Sequence, residues 1–564
     1  LNPGTIGTFT DLRIAAEGTG AGAVPPLRWR PGEDLAFALR IEHTPGQPLS
    51  PEWVRRQFVV NGLSAAGMSI DRSLALVQLI NRAFLTAGFV NSGVVVSPQT
   101  SLATGFLGLR LIHGRLTAPD AGSAPVTVEW QGGGSRGLTA DYIRHRLPSA
   151  GDLPLNATPI ERDFRLLAQD PAIRTVSADL RPGSRPGEAS LHLVIVPEDP
   201  FDVYITAANS RSPSVGGERA AFGAFLRNLA AAGDILSGEV GATEGLTDAA
   251  IGYVTPFFNR RTFLSLRGSL NNAAVVDQPL IPLDIKSRDR AVEIGITHRL
   301  IDQPLTPAEA GGWFPAQSLS VGFLVAHRES RSFLLGEPFS FSPGSVNGQS
   351  EYTAVRLVTD GVRRSTEQVI ALSITATVGI DGTRSDVVGI ANPEKRFKSL
   401  LLSFNYARRL KANGLEFRGR LLGQLASSVL YSGERLAVGG ENTVRGYREN
   451  VLLADQGIVG SVELAQPFSL TGSRRSATGF NYGAFSVAGF ADAAAVSNVD
   501  GAAVGQRKLF SIGAALSWTP SEAVFARVSY ALALKDIQQT GSRDLQDRGF
   551  HFRLTAYPLQ LFRR

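Results

Sequence analysis

From Phe201 onward the chain repeats one pattern: apolar and polar residues alternate in long runs, with polar loops between them and no helical periodicity. In "LEFRGRLLGQL", Leu415, Phe417, Gly419, Leu421, Gly423 and Leu425 share one parity, and Glu416, Arg418, Arg420 and Gln424 the other. In "FHFRLTAY", Phe550, Phe552, Leu554 and Ala556 oppose His551, Arg553, Thr555 and Tyr557. "VFARVSYAL" and "IVGSVELAQPF" behave alike. A period of two is what a strand with two unlike faces requires. Sixteen such segments are countable, starting near Val203, Arg219, Asp234, Thr247, Arg261, Arg290, Gln317, Glu351, Glu367, Arg396, Leu415, Gln456, Asn481, Lys508, Glu522 and Arg548.

Alternation does not say which face meets water. A soluble sandwich turns its apolar faces inward, whereas a membrane barrel turns them outward and keeps a polar lumen. Length decides. About 9–11 tilted residues cross a bilayer, most of these runs reach that, and soluble strands usually stop at about 5–6. The expectation is a 16-stranded antiparallel transmembrane β-barrel over residues 200–564. Side chains alone fill only barrels of about eight strands, so a lumen this wide must be wet or plugged.

Composition agrees. No window reaches the ~18 apolar residues of a membrane-spanning helix, yet mean hydropathy is near zero (+0.03) and glycine is abundant, with 60 residues of 564. The formal charge is only +6, and basic residues form no cluster of the kind a nucleic-acid binder needs. With no cysteine, disulfides and thiolate metal sites are excluded. The sole methionine is Met68, and "LNPGTIGTFT" has neither a charged nor an apolar leader region. The expectation there is a leader already removed, or none.

The first 200 residues read differently. Residues 1–33, "EGTGAGAVPPLRWRPGED" among them, read as an extended linker and candidate pore plug, with at most a helical turn or two in "FTDLRIAAEG". A first unit (34–118) begins with a strand in "LAFALRIEHT". A helix follows, with Ser50 as N-cap and Pro51 at its first position. A second helix places Ile70, Leu74, Val77, Ile80, Phe84 and Ala87 on one face and closes at Gly88. Strands in "NSGVVVSPQ" and "FLGLRLIHGRL" end the unit. The same β-α-α-β-β order recurs over 124–199: strand "VTVEW", helices "TADYIRHRLP" and "TPIERDFRLLAQDP", strands "IRTVSADLRPG" and "ASLHLVIVPED". That is an internal repeat.

A loop of about 27 residues, 429–455, is too long for a hairpin, and such loops are usually functional. It carries "GGENTVRGY", Gly439 to Tyr447. Folded into a lumen, Arg445 needs a carboxylate partner, because an unpaired desolvated charge is costly. Asp492 in "VAGFADAAAV" is a candidate if it and Phe490 share an inner face. From spacing alone, Arg445 fits a solvated surface loop equally well.

Three stretches carry a family resemblance: "LPLNATPIERDFRLLAQDPAIRTVSADLRPG", "GGENTVRGY" and "GFADAAAV". With the repeat and the sixteen strands, they resemble the two-partner secretion transporters of the outer membrane. This is the TpsB family of haemolysin and filamentous-haemagglutinin secretion proteins, within the POTRA-plus-barrel superfamily. The resemblance implies two periplasmic POTRA domains before the barrel and no enzymatic activity or cofactor. It implies that Arg445 docks on Asp492, with Gly439, Gly440, Val444, Gly446, Tyr447 and Phe490 shaping the latch. It implies client contact near Asp163, Arg165, Leu166 and Leu167. The implied partners are a large, β-helical secreted exoprotein, periplasmic chaperones, barrel-assembly machinery and outer-membrane lipid, with no nucleic acid. The alternatives are a membrane-protein insertion factor of the same superfamily and a passive porin. The chain departs from the family at Ala494, where glycine is usual, in its lead without an amphipathic helix, and in Arg563 and Arg564 after Phe562.

Other motifs are decoys. "GGSRG" around Ser135 matches a nucleophile elbow, but the unit lacks a doubly wound sheet, and only His145 and His192 are local. A strand–helix turn is the simpler reading. Gly18 to Gly22 precedes no Lys-Ser/Thr pair, so it is not a phosphate loop. The seven histidines have no i, i+4 pairing, which argues against a metal site.

Overall fold

A computed structural model describes residues 8–9, 11–16, 27–29, 68–96, 106–308, 311–385, 392–470, 481–500, 507–537 and 543–562. It divides into two compact units, Leu1–Glu198 and Asp199–Arg564.

The first unit contains two small mixed sheets. In one, Asp11–Ala16 runs parallel to Phe106–Ile112, whose other neighbour, Gly93–Val96, is antiparallel. Leu27–Trp29 extends the outer edge beside Asp11–Ala16, and the helix Ile70–Thr86 belongs to this part of the chain. In the other, Val126–Trp130 runs parallel to Glu188–Pro197, and Ile173–Pro182 is antiparallel to it. Helices Ala140–His145 and Ala157–Leu167 lie between these strands in sequence. The two sheets thus share one arrangement: Asp11–Ala16 and Val126–Trp130 each run parallel to the last strand of their sheet, and the strand just before that last one, Gly93–Val96 or Ile173–Pro182, is antiparallel to it. In the second copy Leu193, Ile195, Ile143, Leu155 and Leu167 are buried almost completely.

One expectation needs correcting. The segment read as a linker contributes Asp11–Ala16 to the first sheet, in the place expected for a strand at Leu35 to Thr44. "DLRIAA" alternates Leu12, Ile14 and Ala16 with Asp11, Arg13 and Ala15, and the Gly/Pro-rich text around it hid that period. The Leu35 strand and the helix begun at Ser50 lie outside the described residues.

The second unit is a closed antiparallel barrel. Its strands are β1 Phe201–Ala208, β2 Arg219–Arg227, β3 Ile235–Ala242, β4 Leu246–Phe257, β5 Asn259–Ala274, β6 Lys286–Gln303, β7 Ala316–Leu334 and β8 Gln349–Arg364. They continue as β9 Gln368–Gly382, β10 Lys398–Arg409, β11 Glu416–Ala426, β12 Gln456–Ser469, β13 Ala484–Ser497, β14 Lys508–Ser521, β15 Val524–Ala533 and β16 Phe550–Ala556. A two-residue strand, Glu337–Pro338, rides on β7. Every expected strand start lies within four residues of the observed one, the widest gap being Arg290 against Lys286.

The barrel closes where β1 pairs with β16 over four residues, Ile205 to Ala208 against Ala556 to Arg553. Asn209 extends this short seam: its amide donates to the Phe550 carbonyl at 2.8 Å, and its side-chain oxygen accepts from the Phe552 N–H at 2.8 Å. After β16 the chain turns into the short helix Pro558–Phe562, so Phe562 does not end a strand.

The apolar parity faces out. Val292, Ile294 and Ile296 on β6 are exposed, as are Phe323 on β7 and Leu357 on β8, whereas Asp492, Glu463 and His551 on the opposite parity are buried. Directly paired residues on neighbouring strands share a face. The register Leu266↔Ile294↔Val325↔Val355 therefore runs one apolar row around the wall. The wall's outside is a lipid face. Loop 427–455 leaves from the rim opposite Phe201, together with loops 335–348 and 534–549.

Replacing Ile294 with lysine places a charge near the middle of the apolar band. Barrel stability in lipid vesicles, followed by urea unfolding, is expected to fall by about 2–4 kcal/mol. Unchanged stability would mean that Ile294 does not face lipid.

Candidate functional site: the pore loop and its wall

The long loop folds inward as a hairpin of its own. Its legs pair antiparallel, Leu436↔Ala454 through Val438↔Leu452, so the tip, residues 439–451, projects as one piece. One side of the loop is apolar: Leu436, Val438, Val444, Tyr447, Leu452 and Ala454 are buried against Val459, Ala494, Val496 and Leu509 of the wall. Ala494 thus adds a methyl group to this contact. The root is fixed too, with Tyr431 fully buried and stacked on Tyr352 at 4.7 Å between ring centroids.

Backbone geometry at the tip selects glycine. Gly446 has φ +88°, a region that residues with a Cβ avoid, and a Cβ there would meet the Ala531 backbone at 3.0 Å. Gly439 and Gly440 have φ +114° and +96°, and side chains there would collide with Arg448 and Glu449 of the returning limb. The tight tip delivers Arg445 to the wall.

Arg445 is 5% exposed. Its Nε donates to Asp492 Oδ2 at 2.8 Å and its Nη2 to Asp492 Oδ1 at 2.7 Å, a two-point fork. Its backbone N–H adds a third bond to Oδ2 at 3.0 Å. Nη1 donates to Glu463 Oε2 at 2.9 Å and Nη2 to Ser461 Oγ at 3.1 Å. The guanidinium lies 3.3 Å above the Phe490 ring centroid. One cation therefore meets two carboxylates, a hydroxyl and an aromatic face, each chemically suited to a planar fork.

The strand register explains the convergence. Ser461 pairs with Asp492, and Glu463 with Phe490, across β12 and β13. All four side chains point inward from two adjacent rows. Glu463 is further held by Arg527 at 2.7 Å and Arg418 at 3.3 Å. Asp492 has no such reserve: among the described residues, every hydrogen bond to its carboxylate comes from Arg445.

Neighbouring contacts extend the docking. The Gly446 N–H donates to His551 Nε2 on β16 at 3.0 Å. The Tyr447 hydroxyl lies 2.9 Å from the Phe510 carbonyl and 3.0 Å from that of Lys535. Arg448 forks onto Asp547 through two bonds of 2.7 Å, and Glu441 holds Arg553 at 3.0 Å. Beside the network a cavity of about 370 Å³ is lined by Arg418, Arg420, Asn442 and Arg527.

The structure thus brings together Val444, Arg445, Gly446, Tyr447, Phe490 and Asp492. Glu463, Ser461 and His551 complete the site, and each occupies a polar position in a strand whose alternation is plain. Alternation does not give the path by which the loop reaches them. The second candidate group does not form a surface. Asp163 is fully buried and its carboxylate accepts from the Ser149 N–H at 3.1 Å, and Leu167 is in the core. Both serve the fold and offer nothing to a client, because the helix buries that side. Arg165 is tied to Glu161 at 2.6 Å, and only it and Leu166 retain accessible surface. Ser135 lies in a turn. The two nearby histidines bond elsewhere, His145 to the Asp141 carbonyl and His192 to Thr127 and Glu129.

Truncating Arg445 to alanine strands Asp492. Breaking a buried charge pair costs about 3–5 kcal/mol. The loop's docked state should weaken by that amount, and limited proteolysis of the folded, heat-modifiable barrel should cut within 439–451 far faster than in the wild type. Equal cutting rates would show that the loop is held by other contacts.

Residues 315–508 match the family model described as haemolysin secretion/activation protein ShlB/FhaC/HecB, a span that contains the loop, Glu463 and Asp492. The outer membrane transporter CdiB of Dickeya dadantii (strain 3937) is 23% identical over 401 residues, which cover 69% of this chain. That match spans 65% of the relative's own length. Among solved structures, CdiB from Escherichia coli has a TM-score of 0.63 at 17% identity, covering 99% of this chain and 92% of that one. CdiB from Acinetobacter baumannii has 0.57 at 16%, covering 99% and 91%. BamA from Haemophilus ducreyi lacking POTRA domains 1–3 has 0.52 at 13%, covering 91% and 98%. These structures share the fold. Over residues 315–508 the chain is thus similar to the haemolysin secretion/activation family, and it is similar to an outer membrane transporter over 69% of its length.

Proposed function

We propose that this protein secretes an unfolded exoprotein through its own lumen, with the Arg445 loop as the latch of the resting pore. The observation that carries the reading is the docking of Arg445 on Asp492 and Glu463 inside a barrel too wide for side chains to fill. The two sheets of the first unit act as two POTRA domains, the first extending 34–118 backward to take in the strand Asp11–Ala16 and the second spanning about 124–199. Their open edges offer main-chain hydrogen bonds to an extended client. The client threads outward in extended form. Its folding outside makes return unfavourable, so no nucleotide is consumed. Arg445 positions the loop and performs no chemistry.

The latch has a defined energetic weak point. When Arg445 leaves, Glu463 keeps Arg527 and Arg418, but Asp492 loses every partner. The nearest replacement is Arg420. It lies in the row Arg420↔Ser461↔Asp492, and among the described residues it has no hydrogen bond or ion pair of its own. Swinging toward Asp492 would stabilise the opened state without new charge entering the lumen. The two arginines then bias one two-state element in opposite directions.

In planar bilayers, Arg445→Ala should raise the open fraction roughly 10²- to 10⁴-fold, from the 3–5 kcal/mol lost. Resting conductance equal to wild type would sink the latch reading. Arg420→Ala should do the reverse and lower the open probability of the wild-type loop. An increase would show that Arg420 obstructs opening instead of assisting it. Exchanging the pair as Arg445→Asp with Asp492→Arg should recover part of the closed state lost in either single variant.

A further inference from the structure

The lipid face of the barrel carries a feature that transport does not require. On β6 the outward parity is apolar at Val292, Ile294 and Ile296, but one step toward the loop-bearing rim it becomes Arg290, Arg288 and Lys286. Across β7, Arg288 pairs directly with Arg331, and Arg290 with Glu329. Like charges placed opposite each other destabilise a sheet, so an arginine pair there calls for an anion. The carboxylates of this face are already engaged. Glu329 holds Arg331 at 2.6 Å, Asp284 holds Lys286 at 2.8 Å, and Glu351, itself opposite Glu329, sits 3.5 Å from His327. Arg288 touches only the Phe333 ring, 5.6 Å away. Among the described residues, neither Arg288 nor Arg290 meets a carboxylate.

An apolar dent adjoins them. A cavity of about 660 Å³ opens on the outer wall of β1 to β5, over small residues such as Ala220, Ala242 and Ala249 and between the larger Phe222, Val240 and Leu270. Two of its lining residues are register partners of the arginines: Leu270 pairs with Arg290, and Asn272 with Arg288. Guanidinium forks suit phosphate oxygens, and a dry dent in a lipid-facing wall suits an acyl chain. The rim is the one that bears the long loops, which in outer-membrane barrels face outward.

We propose that β5, β6 and β7 bind a phosphorylated glycolipid of the outer leaflet, with Arg288, Arg290 and Arg331 on its phosphates and the dent beside them on an acyl chain. The site depends on the outer-membrane location and not on the latch. Binding would anchor the β5–β7 wall while the loop moves within.

The test uses the full chain purified in detergent and bis-phosphorylated lipid A as the probe, read by native mass spectrometry and by thermal stabilisation. Wild type should retain lipid A, and Arg288→Gln with Arg290→Gln should weaken retention at least ten-fold with conductance unchanged. Arg288→Lys with Arg290→Lys, which keeps the charges, should fall between them. Leu270→Trp, which fills the dent and leaves the charges alone, should also reduce retention. Heat-modifiable migration establishes that each barrel is folded. If the glutamine pair does not fold, the lysine pair and Leu270→Trp decide by the same criterion. Equal retention by wild type and the folded variants overturns the proposal. So does equal retention of dephosphorylated lipid A, or an equal stabilisation by inorganic phosphate alone.

Discussion

A backbone amide or carbonyl facing hydrocarbon has no water to turn to, so a sheet that crosses a bilayer must bond all its edges. That constraint sets the architecture of residues 201–556. Each strand satisfies its neighbours, and the last returns to the first. The return is thin, four paired residues, and Asn209 supplies two more bonds at its end. Closure also fixes which side chains meet which. Once β12 lies beside β13 in one register, Ser461 must adjoin Asp492 and Glu463 must adjoin Phe490.

Closure creates a second demand. Turning the apolar parity toward lipid leaves the polar parity enclosed, and enclosed charges must find partners. The lumen meets this with alternating sign. Glu463 collects Arg418, Arg445 and Arg527, and Arg356 collects Glu293 and Glu434. Most such groups draw their partners from the wall. Asp492 depends on the loop alone. The wall has therefore been built to be incomplete without the tip, and the tip to be costly to remove. A uniformly paired lumen would leave the loop free to drift.

The sequence carried much of this. Period-two alternation located all sixteen strands because lipid and lumen impose opposite chemistry on successive residues. The resemblance put Gly439, Gly440 and Gly446 in the latch, and their positive φ angles are the physical content of that expectation. What failed was local. "DLRIAA" alternates over only six residues inside Gly/Pro-rich text, so its strand was obscured. Asp163 was expected to touch a client from the resemblance alone, yet it caps the turn at Ser149 from a buried position. Glu463 and His551 could not be assigned to the site from periodicity, since that fixes a face and not a partner. Their partner arrives from a loop whose path depends on the whole barrel.

The two faces of the wall pose the same electrostatic problem in different solvents. Inside, Asp492 sits in a row whose own cation, Arg420, makes no bond to it, and is completed by a guanidinium from the loop. Outside, Arg288 sits opposite Arg331 with no carboxylate of its own among the described residues, and the proposed lipid phosphate would complete it. In both places the sheet register places a charge that the sheet itself does not neutralise, and folding alone would favour removing it. A charge that the fold does not need is best understood as the half of an interaction whose other half moves. In the proposed mechanism the loop moves, and lipids exchange within the leaflet. The wall between these two sites is rigid because its hydrogen bonds are internal, so each partner can leave while the strands that present its counter-charge stay in register.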